Sequence, residues 1–433
     1  MNQTTTTFRG TLAVPGDKSI SHRALMFSLL TEGECRIKHL SPAEDCQSTI
    51  GCLKGLGAEI SQTEDGNHTT VGVRSPGLSG LKAPSEKLDA GNSGTTIRLL
   101  AGLLAGLPFK TVLDGDASLR SRPMSRVLSH LAKMGARITY EQKDNFAPFG
   151  IEGGALKGMV FDLNIASAQV QTALLLAGLT AEGTTTVRLP AVVRDHTERM
   201  FTYIGVPFHR NGELETSVSK LIKPLKPYAI TIPGDISSAA FFMVAAACAP
   251  DSELTLTNVG LNPGRTLVID VLTEMGADLQ VVDRQESGGE PIGTVIVKGG
   301  TPLKGTTIGG DRIAAGIDEI PILALAGAFC QGTLAVRNAA ELRVKESDRL
   351  SAIVDNFRRA GATVQEFEDG FDMAGSATLA GGSIWETQGD HRLAMTGLVA
   401  SLLCKQPLQI DDASCVAVSY PQFQSDLKSL CAG

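Results

Sequence analysis

Four stretches of this 433-residue chain carry side chains of types and spacings that could do chemistry. "PGDKSISHRAL" from Pro15 sets Lys18, Ser19 and Arg23 around a helix start. Unpaired backbone N–H groups and the positive end of the helix dipole make such a start attractive to anions. The stretch nearly spells a nucleotide loop, but Asp17 separates Gly16 from Lys18 and no glycine stands five residues before Gly16. A nucleoside-triphosphate loop is therefore set aside. Asp17 or Ser19 is expected to cap a helix whose apolar body is 24–30. "SLRSRPMSRV" from Ser118 carries three arginines, Arg122 among them, and "VVRDHTERM" from Val192 carries Arg194, His196 and Arg199. "ELRVKESDRL" from Glu341 places Lys345, Glu346 and Arg349 within about one helical turn. Lys345 and Arg349 would repel as an i,i+4 pair, so a bound anion is expected to join them.

The elements that must position these groups recur along the chain. An apolar helix-like stretch, a turn and a β-prone run repeat six times, starting near His22, Thr95, Ala168, Ser237, Asp318 and His391. The interval, about 70–80 residues, suits a two-helix α/β unit. A second, amphipathic helix in five units ends in a shared stop, "GLGAEI", "MGARI", "IGVPF", "MGADL" and "AGATV". Glycine just past a helix, followed by alternating apolar residues, turns the chain into a strand. The sixth copy ends at "LKSLCAG" without it. "VPGDKS" at Val14 and "IPGDIS" at Ile232 echo one another and divide the repeats three and three. The expected domains are 16–232 and 1–15 plus 233–433, with the strand near 1–13 belonging to the second.

The first helix of each unit is apolar nearly all round and is expected to be buried. Its polar groups gather at its amino end: Gly94 and Arg98 in the second copy, Ser167 and Gln169 in the third, Asp235 and Ser237 in the fourth. Asp318 and Glu319 open the fifth, and Asp390, His391 and Arg392 the sixth. Capping calls for Ser, Asp or Asn; it does not call for Lys18, Arg23 or Arg392.

Composition removes several function classes. A net charge of −7 and apolar first helices argue against a clamp-like six-unit ring around nucleic acid. The amino terminus has no secretory apolar segment, and the run from Ala239, about 12 residues, is too short to span a membrane. Eight cysteines without a CxxC pair read as reduced thiols of a cytoplasmic protein. No HExxH or GxSxG occurs, and "GNSGTT" has the wrong spacing for a dinucleotide. The expected chemistry uses no metal and no cofactor, and runs on Lys, Arg, Asp and Glu with polyanionic small molecules.

Together, "PGDKSISHRAL", "DAGNSGTTIRLLAGLL", "GDASLRSRPM", "SAQVQTALLLAGL", "RDHTERM", "IDEIPILALAGAF", "ELRVKESDRL" and "GDHRLAM" closely resemble the 5-enolpyruvylshikimate-3-phosphate synthase family. The likeness implies an α/β fold of two similar domains, each of three βαβαββ units, with the active site in the interdomain cleft. It implies transfer of the enolpyruvyl group of phosphoenolpyruvate to the 5-hydroxyl of shikimate 3-phosphate, releasing phosphate, in aromatic amino acid biosynthesis by a monomer. By motif, Lys18, Ser19, Arg23, Ser167, Ala168, Gln169, Arg194, Asp318 and Lys345 would meet shikimate 3-phosphate. Lys18, Gly94, Arg122, Gln169, Arg349 and Arg392 would hold phosphoenolpyruvate. Asp318 would accept the hydroxyl proton, and Glu346, with Lys18 as partner or substitute, would protonate the methylene carbon.

One branch of that family has Ser-Ser-Gln where this chain has Ser167-Ala168-Gln169, and a lysine where Val418 stands. "SAQVQ" and "RDHTERM" resemble the other branch. The same fold serves an enolpyruvyl transferase of UDP-N-acetylglucosamine, but that family usually carries a reactive cysteine on a first-domain loop, and 114–124 has none.

Overall fold

The computed structural model describes residues 6–65 and 68–432. Two compact units form: 16–233 with 287–290, and 1–15 with 234–286 and 291–433. The short return at 287–290 apart, the chain changes unit at Pro15/Gly16 and Pro233/Gly234, within the two echoed "PGD" stretches.

Each unit holds three almost wholly buried helices. In the first they are Lys18–Phe27, Gly94–Leu104 and Ala168–Gly178. In the second they are Ile236–Cys248, Ile320–Ala328 and His391–Leu403. All nine residues of Ile320–Ala328 are buried. A helix with no polar face must be surrounded on all sides, and sheets and amphipathic helices supply the wrapping. The first helix is shorter than its apolar body suggested, because Ser28–Leu30 tightens into a 3-10 turn. Asp17, not Ser19, is its cap, accepting the Ile20 N–H at 2.8 Å.

Five sheets share one strand order, a parallel pair followed by two antiparallel strands. In Leu88–Asp89, Lys110–Asp114, Phe149–Glu152 and Arg137–Tyr140, the parallel pair flanks the buried helix Gly94–Leu104 as its crossover. Parallel neighbours require such a crossover, and here the helix is the core. At the unit change the parallel partner is exchanged. Thr7–Ala13 pairs with Glu253–Gly260 in the second unit, and Ala229–Thr231 pairs with Glu32–Leu40 in the first. The sixth repeat keeps only a two-stranded sheet, Ile384–Trp385 with Gln409–Ile410. Its last helix, Phe423–Leu430, ends in Cys431–Ala432, which joins Thr7–Phe8.

The five shared stops behave alike. Gly57, Gly135, Gly205, Gly276 and Gly361 follow their helices at φ between +80° and +116°, a region that a side chain strains. Glycine acts differently at Gly102, where a Cβ would lie 2.1 Å from the Ala173 carbonyl oxygen. Helices Gly94–Leu104 and Ala168–Gly178 therefore touch backbone to backbone. Gly102→Ala is expected to cost about 1–3 kcal/mol by overpacking. Gly51→Ala, on an exposed helical position with nothing within 4 Å, should stabilise by about 0.5–1 kcal/mol. Calorimetry of both variants checks the pair; equal transitions would contradict the close helix contact.

Candidate active site

In the first unit the buried helices Lys18–Phe27 and Gly94–Leu104 carry cations in their first two turns. Asp17, Ser93 and Ser167 cap the helices through their side chains, which leaves neighbouring residues to other tasks. Lys18 pairs with Asp45 at 2.9 Å. Arg23 is buried and donates to Thr197 Oγ1 at 2.9 Å, Thr172 Oγ1 at 2.9 Å and the Ser19 carbonyl at 3.0 Å. Burial first, and then the nearby Arg194 guanidinium, push Arg23 down to about 10, still protonated at neutral pH. Glu198, Asp17 and Glu290 act the other way on Arg23.

Gly94 opens the second helix beneath two more arginines. A Cβ on it would lie 2.7 Å from Arg98 Nη1 and 3.7 Å from Arg122 Nη1. Arg122 is steadied by Asn92 Oδ1 at 2.6 Å and Ser118 Oγ at 2.9 Å. Gln169 ties the second helix to the third, donating to Thr95 Oγ1 and accepting from Arg98, each at 3.0 Å. Ala168 is buried in the first turn after Ser167. Lys18, Ser19, Gly94, Ser167, Ala168 and Gln169 thus lie at or within one turn of a helix start, as anion binding would need, and Arg23 lies in the second turn.

Other charges of these motifs are structural. Arg120 pairs with Asp114 at 2.8 Å. His196 and Glu290, both buried, meet at 2.7 Å. Arg199 braces Asp195 at 2.7 Å, and Arg210 does so at 3.1 Å. "RDHTERM" therefore offers Arg194 and the Thr197 hydroxyl toward Arg23, while His196 and Arg199 hold the segment.

The second unit is built differently. "ELRVKESDRL" is not one helical turn: a 3-10 segment, Ala340–Val344, is followed by a break at Lys345, and Asp348 caps a new helix, Arg349–Arg359, through the Ser351 N–H. Lys345 and Glu346 lie in the break, and Arg349 is the first helical residue. The i,i+4 repulsion expected on one helix is corrected, because the two cations share a carboxylate. Both reach Asp318 Oδ1, at 3.5 and 3.2 Å. Arg349, 1% exposed, also pairs with Glu346 at 2.5 Å and Asp390 at 2.6 Å. Burial alone would lower its pKa, but Asp390, Glu346 and Asp318 outweigh burial and hold it well above the usual arginine value.

Arg392 donates to the Asp318 carbonyl at 3.0 Å and stands 3.9 Å from its carboxylate and 3.7 Å from Glu319. Arg265 lies 3.6 Å from Glu319 and 3.7 Å from Asp235. Asp235, Asp318, Glu319, Glu346 and Asp390 thus form one chain of ion pairs with Arg265, Lys345, Arg349 and Arg392. Among these named pairs five carboxylates meet four cations.

Sequence reasoning did not single out Asp45, Thr172, Thr197 or Arg265, because each acts through a contact with a distant segment. Asp390 was legible as a cap but not as the partner of Arg349. Val418 is half-buried in the 3-10 segment Ser414–Val418. Among the described residues, no group of three His, Cys, Asp or Glu is placed to hold a metal ion, and no helix is long and apolar enough to cross a membrane.

Repeated units with buried helices and polar helix starts define the enolpyruvyl-transferase class of fold. The enolpyruvyl transferase NikO from Streptomyces tendae shares it at a TM-score of 0.77, over 98% of this chain and 95% of that one; at 19% identity the likeness concerns the fold alone. A family model described as EPSP synthase (3-phosphoshikimate 1-carboxyvinyltransferase) matches residues 2–427. A relative of that name from Bacillus licheniformis is 46% identical, over 98% of this chain and 97% of its own length. One from a Synechococcus species is 48% identical over 98% and 94%. The structure of EPSP synthase from Acinetobacter baumannii superposes at a TM-score of 0.87, with 40% identity and coverage of 98% and 96%. The chain belongs to the EPSP synthase family.

One buried group beside this machinery sets a pH limit. His22 bonds Thr49 Oγ1 at 2.7 Å, and burial, aided by Lys18 and Arg23 against Asp45, lowers its pKa from 6.5 to about 4. The unfolded chain therefore binds the proton first as pH falls, so stability present above pH 6.5 is lost toward pH 4. The loss should be on the order of 3 kcal/mol. Urea midpoints between pH 7 and 4.5 should fall less steeply in His22→Gln than in the parent; parallel slopes would refute a neutral buried His22.

Proposed function

We propose that this chain transfers the enolpyruvyl group of phosphoenolpyruvate to the 5-hydroxyl of shikimate 3-phosphate, releasing phosphate, as a cytoplasmic monomer without a cofactor. Lys18, Ser19, Arg23, Ser167, Ala168, Gln169 and Arg194 hold shikimate 3-phosphate, joined by Asp318 and Lys345. Lys18, Gly94, Arg122, Gln169, Arg349 and Arg392 hold phosphoenolpyruvate. The observation that carries this reading is the buried Arg349, which grips Asp318 and Glu346 together. Two groups that could exchange protons with substrate are held on a single guanidinium.

The reaction needs a proton delivered to the methylene carbon and another taken from the attacking hydroxyl. Loss of phosphate then returns a methyl proton. Asp318 takes the hydroxyl proton. Glu346 serves the carbon: phosphoenolpyruvate competing for Arg349 loosens the pair that keeps Glu346 ionised and raises its proton affinity. Lys18 is its partner. The guanidinium and ammonium groups stabilise charge that develops on phosphate and carboxylate, where water is excluded.

Phosphate release with phosphoenolpyruvate should require shikimate 3-phosphate and should not proceed with UDP-N-acetylglucosamine; the reverse preference would overturn the reading. Lys18→Met and Arg122→Ala should each reduce turnover about a hundredfold or more without unfolding the chain. Asp318→Ala should nearly abolish turnover, whereas Glu346→Gln should specifically slow entry of solvent deuterium into the methylene of phosphoenolpyruvate. Exchange at the parent rate in Glu346→Gln would pass the donor role to Lys18.

A further inference from the structure

Glu319 stands where the second helix of the second unit begins, yet it does no capping: Ile320–Ala328 has no side-chain cap bond. Its side chain is 1% exposed. Oε1 accepts from Ser237 Oγ, which also accepts from Arg265. The same carboxylate lies 3.6 Å from Arg265 and 3.7 Å from Arg392. Oε2 is buried and has no hydrogen-bond partner among the described residues. A carboxylate kept so dry, with one oxygen unbonded, costs stability unless its charge serves its neighbours.

The neighbours define that service. Ser237 lies in the first turn of Ile236–Cys248, Glu319 immediately precedes Ile320–Ala328, and Arg392 lies in the first turn of His391–Leu403. Arg265, itself 5% exposed, bridges Glu319 to Asp235, the cap of Ile236–Cys248. Glu319 therefore links the starts of all three buried helices of this unit and lies 3.7 Å from one nitrogen of Arg392. That nitrogen, Nη1, donates to the Asp318 carbonyl at 3.0 Å. The two contacts hold the Nη1 end of the Arg392 guanidinium. Arg392 and Arg265 flank Glu319 from two sides, so the charge of Glu319 also sets how much of the Arg392 charge is left for an anion.

We propose that Glu319 is a positioning residue that orients the Arg392 guanidinium for the anionic groups of phosphoenolpyruvate. The inference rests on the assignment of Arg392 to phosphoenolpyruvate made above. Preorganised charge of this kind acts on binding of the one ligand that Arg392 meets, and not on the other substrate.

The experiment is steady-state kinetics of the full chain with each substrate varied, for Glu319→Gln, Arg392→Lys and the double variant, with thermal melting alongside. Glu319→Gln keeps the shape and an acceptor for Ser237 but removes the charge. It should raise KM for phosphoenolpyruvate about tenfold, the size expected for one charge-assisted contact, and leave KM for shikimate 3-phosphate unchanged. In the Arg392→Lys background the same change should have little further effect, because the planar fork it orients is gone. Glu319→Asp should recover part of the loss. An unchanged KM for phosphoenolpyruvate in Glu319→Gln, equal rises for both substrates, or full additivity with Arg392→Lys would each overturn the inference. An Arg392→Lys enzyme with parental KM for phosphoenolpyruvate would instead remove Arg392 from that ligand, and the role of Glu319 with it.

Discussion

Six almost wholly buried helices constrain everything else in this molecule. A helix such as Ile320–Ala328, buried at all of its nine residues, can meet polar groups only at its two ends. Its backbone leaves several N–H groups unbonded at the amino end, and these have to be capped or met by an anion. The polar side chains of the buried segments are thereby driven to the helix starts. Chemistry gathers there because the rest of each helix has no room for it.

The two units use this constraint differently. In the first, the named bonds of Arg23, Arg98 and Arg122 end on hydroxyl, amide and carbonyl oxygens. Such neutral partners fix the direction of a guanidinium group without themselves carrying a compensating charge. In the second, Arg349 is set among Asp318, Glu346 and Asp390. Burying one cation costs several kcal/mol, which close carboxylates offset only with good geometry. Asp390, wholly buried and bonded to Arg349 at 2.6 Å, is the permanent partner. Asp318 and Glu346 are only partly buried, which suits groups that exchange protons. The first unit holds these guanidinium groups on neutral oxygens, and the second sets its buried arginine among carboxylates.

Like-charge neighbours in a sequence gave an incomplete picture of this balance. Lys345 and Arg349 looked mutually repulsive on one helix, and a bound anion was the simplest remedy. The chain instead breaks at Lys345, Asp348 caps the next helix, and the carboxylate of Asp318, remote in the sequence, is shared by both cations. The carboxylates that do this come from the starts of two other buried helices.

The sequence by itself determined the repeats, the buried helices and their amino-terminal polar residues, because apolar periodicity and capping are local properties. It also marked the five helix stops, since a left-handed residue at Gly57, Gly135, Gly205, Gly276 or Gly361 is a local demand on the backbone. Lys18, Arg23, Gly94, Gln169, Asp318, Arg349 and Arg392 were legible as candidates because no structural need at a helix start calls for that set. Partnership was decided by tertiary structure alone. That Thr197 and Thr172 hold Arg23, that Asn92 steadies Arg122, and that Arg265 and Glu319 stand behind Arg392 all depend on distances between segments remote in the chain. Whether an arginine keeps its charge for a ligand or spends it on a carboxylate follows from those distances, and no spacing along the sequence encodes them.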